Sequence, residues 1–241
     1  MRKTKKYGWR PDFPHNHKKF STCRLTTMDL PSSIDLRPQC PPVYDQGELG
    51  SCTANGIAGA IEFIKPDIMP SRLFIYYNER VMENDVSQDG GAQIHDGISS
   101  IHTQGVCDET SWPYDINQFA VKPTDDCYTS ALTDVISDYS SLETLQDIKQ
   151  SLAAGYPVVF GMTVYESFEN PDVKSTGMVP MPSENEEIVG GHCMLIVGYD
   201  DETGWFIVRN SWSSSWGLSG YCMIPYSYIQ QYASDFWDIR S

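Results

Sequence analysis

Four residues with side chains suited to nucleophilic catalysis occur along the chain in the order Gln46, Cys52, His192 and Asn210. Cys52 lies at the start of a predicted helix, where unpaired amide donors and the helix dipole favour the reactive thiolate. Gln46 precedes it by six residues, and its carboxamide could donate to a developing oxyanion. This set predicts nucleophilic attack on a carbonyl carbon by a thiolate.

The other two residues follow far downstream. His192 comes after two glycines at the head of an apolar run, where it could exchange a proton with the thiol. Asn210 ends the next apolar run and could orient the imidazole. Each residue alone has a simpler interpretation: a small buried cysteine, a turn glutamine, a strand-edge histidine and a turn asparagine. The combination in this order is what indicates catalysis.

Several segments around these residues resemble the papain-like cysteine peptidases over about residues 31–225. The segments are DQGELGSC at 45–52, DGG at 89–91, WPY at 112–114, GGHCMLIVGYD at 190–200 and VRNSWSSSWGLSGY at 208–221. His192 lies within the interval of about 130–150 residues after the cysteine that papain-type enzymes show. The Asn-Ser-Trp segment is the most specific of these matches.

The resemblance implies a role for each catalytic candidate. Cys52 would be the nucleophile, His192 its acid–base partner, and Asn210 the residue that holds the imidazole in the productive tautomer. Gln46 would help to form the oxyanion hole. The resemblance implies no metal and no organic cofactor.

It also implies a set of substrate-binding residues. Gly90 and Gly91 would form an extended wall that pairs with the substrate backbone. Gly191 would allow a bound peptide to approach closely, since it has no side chain. Trp212 would shield the contact between Asn210 and His192 from water.

The chain departs from the family pattern at several positions. Leu49 and Gln88 stand where relatives carry two cysteines joined in a disulfide, and the joint loss fits a reducing compartment. Thr53 replaces the usual tryptophan after the nucleophile. Cys193 replaces a small residue after the histidine, either as a core residue or as a redox-sensitive thiol. The segment from Tyr226 does not align, so the base of the main specificity pocket is left unassigned.

Hydrophobic periodicity predicts the elements that position these residues. Apolar residues recur at helical spacing over 52–64, 71–81, 94–102 and 142–153. Short β-branched and aromatic runs follow at 157–164, 193–200, 204–212 and 220–226, with turn residues between them. We therefore expect an α+β, two-lobed papain-like fold. Its helical lobe would span about 31–135 and its antiparallel β-rich lobe about 136–241, with the active-site cleft between them.

The 241 residues carry a net charge of −15, which argues against nucleic acid as a partner. The charge is uneven, because residues 1–24 contain eight Lys and Arg and a single acid, Asp12. We call residues 1–30 the leader and expect it either to lie in or near the cleft as an autoinhibitory, propeptide-like contact or to pack elsewhere. The start of the chain lacks the apolar stretch of a signal peptide, and no stretch is long enough to span a membrane. This predicts an intracellular, cytoplasmic protein, with a lysosome-like or particle-packaged location left open.

The function that these observations predict is that of a cysteine endopeptidase, a thiol protease made as a zymogen, which acts on peptide or protein substrates through a thioester acyl-enzyme. One alternative is a catalytically silent papain-like domain that binds a peptide or a partner. Another is an acyl transferase that uses the same Cys-His-Asn set and passes the acyl group to an amine.

Overall fold

The computed structural model describes residues 7–13 and 30–240. Its helices in the first half of the chain are α1 (Cys52–Ile64), α2 (Arg72–Met82), α3 (Ile94–Gln104) and α4 (Asp125–Ala131). The first three confirm the predicted helices to within two residues at either end. Every residue of α1 from Cys52 to Ile61 is buried, because this stretch consists of small and apolar side chains with no charge.

Seven strands in the described residues form one antiparallel sheet. They are β1 (Ser33–Asp35), β2 (Asp138–Leu142), β3 (Val158–Tyr165), β4 (Ile188–Asp200), β5 (Trp205–Arg209), β6 (Tyr221–Pro225) and β7 (Ala233–Arg240). The order across the sheet is β2-β7-β3-β4-β5-β6, and β1 pairs with one end of β4. The α+β class, with helices first and an antiparallel β-rich second half, is confirmed.

The predicted helix over 142–153 begins too early. The structure has a helix α5 (Leu145–Ala153), whereas residues 138–142 are strand β2 and pair with β7. Thr144 accounts for the boundary, since its hydroxyl accepts a hydrogen bond from Asp147 N at 3.1 Å, and the Asp147 side chain bonds back to Thr144 N at 2.9 Å. This reciprocal cap starts the helix at a defined residue.

Two elements near the chain end, α7 (Tyr226–Tyr232) and β7, were not predicted from the pattern. Strand β7 lies between β2 and β3, one strand in from the β2 edge of the sheet. A short helix α6 (Pro171–Thr176) precedes β4. In the described parts of the chain, no helix has the length and apolar character needed to cross a membrane.

Helix α1 lies directly on β4 because two of its residues are glycines. A Cβ added at Gly56 would lie 3.0 Å from the Cys193 sulfur, and one at Gly59 would lie 3.6 Å from the Leu195 side chain. The close approach brings the first residue of α1 next to the middle of β4. This junction between the helical part and the sheet positions the candidate site.

Candidate active site

Cys52 is the first residue of α1 and is fully buried. Its sulfur takes backbone hydrogen bonds from Cys193 on β4, from Thr53, and from Gly8 of the leader. These bonds lower the pKa of the thiol, but burial has the larger effect and raises it to about 12. In this state Cys52 is therefore a neutral thiol covered by the leader backbone.

His192 lies on β4, immediately before the residue that contacts the nucleophile. Its Nε2 is 2.8 Å from Asn210 Oδ1. Because an amide oxygen only accepts, Nε2 carries the proton and Nδ1 is left as the basic nitrogen. The Trp212 ring stacks on the imidazole, with 4.8 Å between the ring centroids and 26° between the planes. The asparagine therefore sets the tautomer, and the tryptophan covers one face of the ring.

Gln46 is held in place by the segment that carries Asn210. Its backbone N donates to Ser211 O at 2.9 Å, and its Oε1 accepts from the Ser211 hydroxyl at 2.6 Å. The Nε2 donates to Leu49 O at 2.9 Å, which directs the amide group toward the loop that leads into α1. The structure thus brings all four predicted catalytic residues to the junction of α1 and β4.

Residues 7–13, which we call the leader segment, occupy the cleft at this junction. Gly8 O accepts from Ala92 N at 2.7 Å, and Arg10 N donates to Ala92 O at 3.0 Å. On the other side, Trp9 N donates to Gly191 O at 3.0 Å. The leader segment therefore pairs with backbone on both walls at once, as an extended peptide in a cleft does. Residues 1–6 and 14–29 of the leader lie outside the described residues.

Of the three glycines predicted to bind substrate, two contact the leader segment and one does not. A Cβ added at Gly91, where φ is +77°, would lie 2.0 Å from Gly8 O, and one at Gly191 would lie 2.5 Å from Trp9 O. Both positions therefore need glycine for the chain to pass. Gly90 instead faces the Asp85 carboxylate, which would lie 3.0 Å from a Cβ added at Gly90.

The side chains of the leader segment meet acidic groups of the rest of the protein. The Tyr7 hydroxyl donates to Glu169, and its ring lies 5.7 Å from the imidazole of His192. Trp9 Nε1 donates to Asp235 Oδ2 at 3.2 Å. The Arg10 guanidinium forms an ion pair with Glu83.

Sequence reasoning missed several of these residues. Ala92 follows the Gly-Gly pair and could have been found from that position. Asp235 lies in the unaligned end of the chain, on a strand that the pattern did not predict. Gly161 interrupts an apolar run, which is the usual signal of a close approach by another group. A Cβ added there would lie 1.9 Å from the Trp9 ring.

A buried carboxyl behind the nucleophile was also missed. Glu79 on α2 is fully buried, and its Oε1 accepts from the Thr53 hydroxyl at 2.6 Å. Burial raises the pKa of Glu79 to about 8, so the group is mostly neutral at pH 7. Thr53 stands where relatives carry tryptophan, and that substitution was the only signal for this contact.

Comparisons with known proteins agree with this architecture. A profile of the papain family cysteine proteases matches residues 30–233. A peptidase C1-like protein of Acanthamoeba polyphaga mimivirus is 44% identical over 249 residues, which cover 92% of this chain and 80% of that protein. Peptidase 1 of Dermatophagoides farinae is 30% identical, over 83% of this chain and 63% of its own length.

Solved structures show the same similarity. The crystal structure of xylellain, a cysteine protease from Xylella fastidiosa, superposes with a TM-score of 0.89 at 40% identity, over 100% of this chain and 98% of that one. Procathepsin L 3 from the Tenebrio molitor larval midgut reaches a TM-score of 0.69 at 20% identity, over 94% of this chain and 76% of that one. The second similarity concerns the fold alone. The predicted two-lobed papain-like fold is confirmed.

Proposed function

Because this chain belongs to the papain family of cysteine proteases, we propose that it is an endopeptidase with Cys52 as the nucleophile. The observation that carries this proposal is the junction of α1 and β4. There Cys52 meets the His192–Cys193 backbone, and Asn210 holds the imidazole at 2.8 Å. A hydrolase of this kind needs a thiol, a base and a group that orients the base, and Cys52, His192 and Asn210 are residues of these types.

The reaction follows from the proton positions. His192 Nδ1 takes the thiol proton of Cys52, and the thiolate attacks the carbonyl carbon of the scissile amide. The Gln46 amide and the backbone N–H of Cys52 would donate to the oxyanion. The imidazolium then protonates the leaving amine, which leaves a thioester. Water, deprotonated by His192, hydrolyses the thioester and restores the thiol.

We propose further that the leader keeps the enzyme latent, as in a zymogen. The leader segment fills the substrate position, and Gly8 covers the sulfur, whose pKa burial raises to about 12. Access of a peptide requires the leader segment to leave, and water would then lower the pKa of Cys52 toward its ordinary range. We place the enzyme in a reducing intracellular compartment, because Leu49 and Gln88 stand where relatives carry a disulfide.

Labelling of Cys52 by a peptide-like thiol-reactive probe tests the proposal. We would compare the full chain, Trp9→Ala and Cys52→Ala under reducing conditions, using intact mass and peptide mapping, and measure hydrolysis of a fluorogenic peptide in parallel. Trp9→Ala removes a buried side-chain anchor of the leader segment. We expect one adduct at Cys52, formed faster in Trp9→Ala than in the full chain, together with faster hydrolysis.

The outcomes separate the alternatives. No selective adduct in either protein would point to a papain-like domain that only binds. An adduct at Cys52 could also be found in an acyl transferase. In that case, hydrolysis assays with an added amine would give a peptide–amine conjugate as the product in place of the free acid. Equal labelling rates in the full chain and Trp9→Ala would contradict latency while leaving the peptidase assignment in place.

A further inference from the structure

The Trp9 side chain occupies a pocket that lies beside the nucleophile. We call it the Trp9 pocket and define it by the residues Gly161, Gly191 and Asp235. Its walls are flat because two of these residues are glycines. A Cβ added at Gly161 would lie 1.9 Å from the indole, and one at Gly191 would lie 2.7 Å from it. Trp9 is 8% exposed, so the pocket encloses nearly the whole ring.

A buried carboxylate forms the end of the pocket. Asp235 is 7% exposed and lies on β7 with φ +55°, a backbone conformation that few residues other than glycine adopt. Its Oδ2 accepts from Trp9 Nε1 at 3.2 Å and from Asp12 N at 2.8 Å. Both donors are neutral and both belong to the leader. When the leader segment leaves, these two hydrogen bonds are lost together, and a ligand that brings donors to the same oxygen can replace them.

The rim of the same cleft already binds a guanidinium. Arg10, the residue after Trp9, pairs with Glu83, whose side chain is 6% exposed, and lies 3.9 Å from Asp85. Tyr7 on the other side donates to Glu169. The contacts of Tyr7, Trp9 and Arg10 each join a donor of the leader to a carboxylate of the cleft. The Asp12 carboxyl is the exception, since it accepts from His95 N and Trp237 Nε1 and faces Asp235 as a like charge. The site is therefore built for peptides that bring positive charge or N–H donors.

We propose that the Trp9 pocket selects a cationic side chain of the substrate, with arginine preferred, and that Asp235 is the residue that determines this specificity. The inference rests on the proposed peptidase function and names its substrate class. A guanidinium is planar, so it fits between the glycine walls as the indole does, and it can donate two hydrogen bonds to one carboxylate. Lysine would bind less well, because its ammonium is compact and strongly hydrated.

Peptide pairs that differ only in charge test this inference. We would vary one position at a time on the acyl side of a fluorogenic peptide, with arginine, lysine, citrulline or leucine, and measure kcat/KM for the full chain and for Trp9→Ala. At one position arginine should exceed citrulline by about 10- to 100-fold, the range expected for a hydrogen bond to a charged group. Citrulline has nearly the shape of arginine without its charge, so the comparison needs no variant at Asp235.

Variants then assign the effect to one residue. Asp235→Asn should reduce the arginine-to-citrulline ratio to near one. Asp126→Asn, which removes the same charge from an exposed position on α4, should leave the ratio unchanged. Titration of Cys52 with an irreversible probe gives the fraction of active enzyme in each sample, so a loss of folding is not mistaken for a loss of specificity.

Failure of this inference is distinguishable from failure of the proposed function. If no peptide is hydrolysed and Cys52 is not labelled, the peptidase proposal fails. If peptides are hydrolysed with equal kcat/KM for arginine and citrulline at every position, the peptidase proposal stands and the selection by Asp235 is overturned. A preference for arginine that persists in Asp235→Asn would overturn the assignment to Asp235.

Discussion

The imidazole of His192 is fixed by contacts on several sides. Asn210 Oδ1 lies 2.8 Å from Nε2 and also accepts from Ser211 N at 2.8 Å, so the oxygen itself is held in place. The Trp212 ring stacks on one face, and Phe168 approaches edge-on with 6.4 Å between centroids. The orientation of the imidazole therefore depends both on the hydrogen bond to Asn210 and on the aromatic rings that pack against it.

Replacing Asn210 tests how much the orientation contributes. Asn210→Ala removes the acceptor for the Nε2 proton, and we expect kcat/KM to fall about 100-fold, the cost of misplacing a catalytic group. Peptide hydrolysis would be measured over a range of pH in the Trp9→Ala background. Asn117→Ala, at an exposed position, is the control. An unchanged rate and pH profile would contradict a positioning role for Asn210.

Glu79 is a residue whose protonation depends on its burial. Its Oε1 accepts from Thr53, whereas its Oε2 has no hydrogen-bond partner among the residues that the structure describes. The ordinary pKa of 4.5 rises to about 8 in the folded protein, so the fold favours the protonated acid. The contribution of this group to stability is therefore fully present below pH 4.5 and is lost as the pH rises through about 8.

Glu79→Gln should remove this dependence, since glutamine is neutral at every pH and keeps an acceptor for Thr53. We expect the Tm of the parent to fall between about pH 5 and about pH 9 and the Tm of the variant to fall less steeply. Differential scanning calorimetry in matched buffers gives both slopes. Identical slopes would show that Glu79 does not hold its proton in the fold.

At the scale of elements, the contact between α1 and β4 governs the site. Small residues on the buried face of α1 let the helix axis lie close to the strand, and Gly56 is the nearer of its two glycines to Cys52. A Cβ there would lie 3.0 Å from the Cys193 sulfur and 3.5 Å from the Val159 side chain. The distance between helix and strand sets the distance between the nucleophile and the base, because each sits on one of these elements.

Gly56→Val should therefore affect stability and activity together. Overpacking a buried contact costs about 1–3 kcal/mol, and the displaced helix would carry Cys52 away from His192. Urea unfolding gives the first effect, and kcat/KM corrected for titrated active sites gives the second. Ala153→Val, on an exposed face of α5, is the control. A variant that loses stability but keeps full kcat/KM would show that the site tolerates the shift.

At the scale of the whole molecule, the leader and the rest of the chain carry opposite charge. Residues 1–24 have a net charge of +7, whereas residues 25–241 have −22, which gives −15 for the whole chain. One contact of the leader segment departs from this attraction between opposite charges, because Asp12 faces another acid. Its carboxylate faces Asp235 and is held by the N–H groups of His95 and Trp237, at 3.2 and 2.9 Å. Burial and the Asp235 charge raise the pKa of Asp12 to about 6.

This pair predicts that the leader is released as the pH rises. The ordinary pKa of Asp12 is 3.8, and in the docked state it is about 6. The contribution of protonated Asp12 to docking is therefore fully present below pH 3.8 and is lost as the pH rises through about 6. The loss corresponds to about 100-fold in the docking equilibrium. The rate of Cys52 labelling in the full chain, divided by the rate in Asp12→Asn at the same pH, should rise across this interval.

Dividing by the variant cancels the intrinsic titration of Cys52 and His192. Asp12→Asn keeps a hydrogen-bond acceptor and adds no charge, so its leader should stay docked at neutral pH. A ratio that is independent of pH would mean that Asp12 does not control docking.

The catalytic set and the helices could be predicted from local patterns. Cys52 with Gln46, and Asn210 with Trp212, lie in short segments whose residue order is itself informative. The helix α1 has a 3.6-residue period that does not depend on its neighbours. The two glycines before His192 likewise indicate, from the local sequence, that a peptide can approach this residue closely. Each of these features depends on residues that are close together in the sequence, which is why it can be predicted from the sequence alone.

The occupied cleft depends on contacts between distant parts of the chain. Trp9 and Asp235 are separated by 226 residues, and Glu79 meets Thr53 across 26. Strand β7, which carries Asp235, is held in the sheet by its pairing with β2 on one side and β3 on the other. A leader residue, a carboxylate and two glycines form a pocket only when the chain closes around them, because no local propensity encodes which surfaces will face each other.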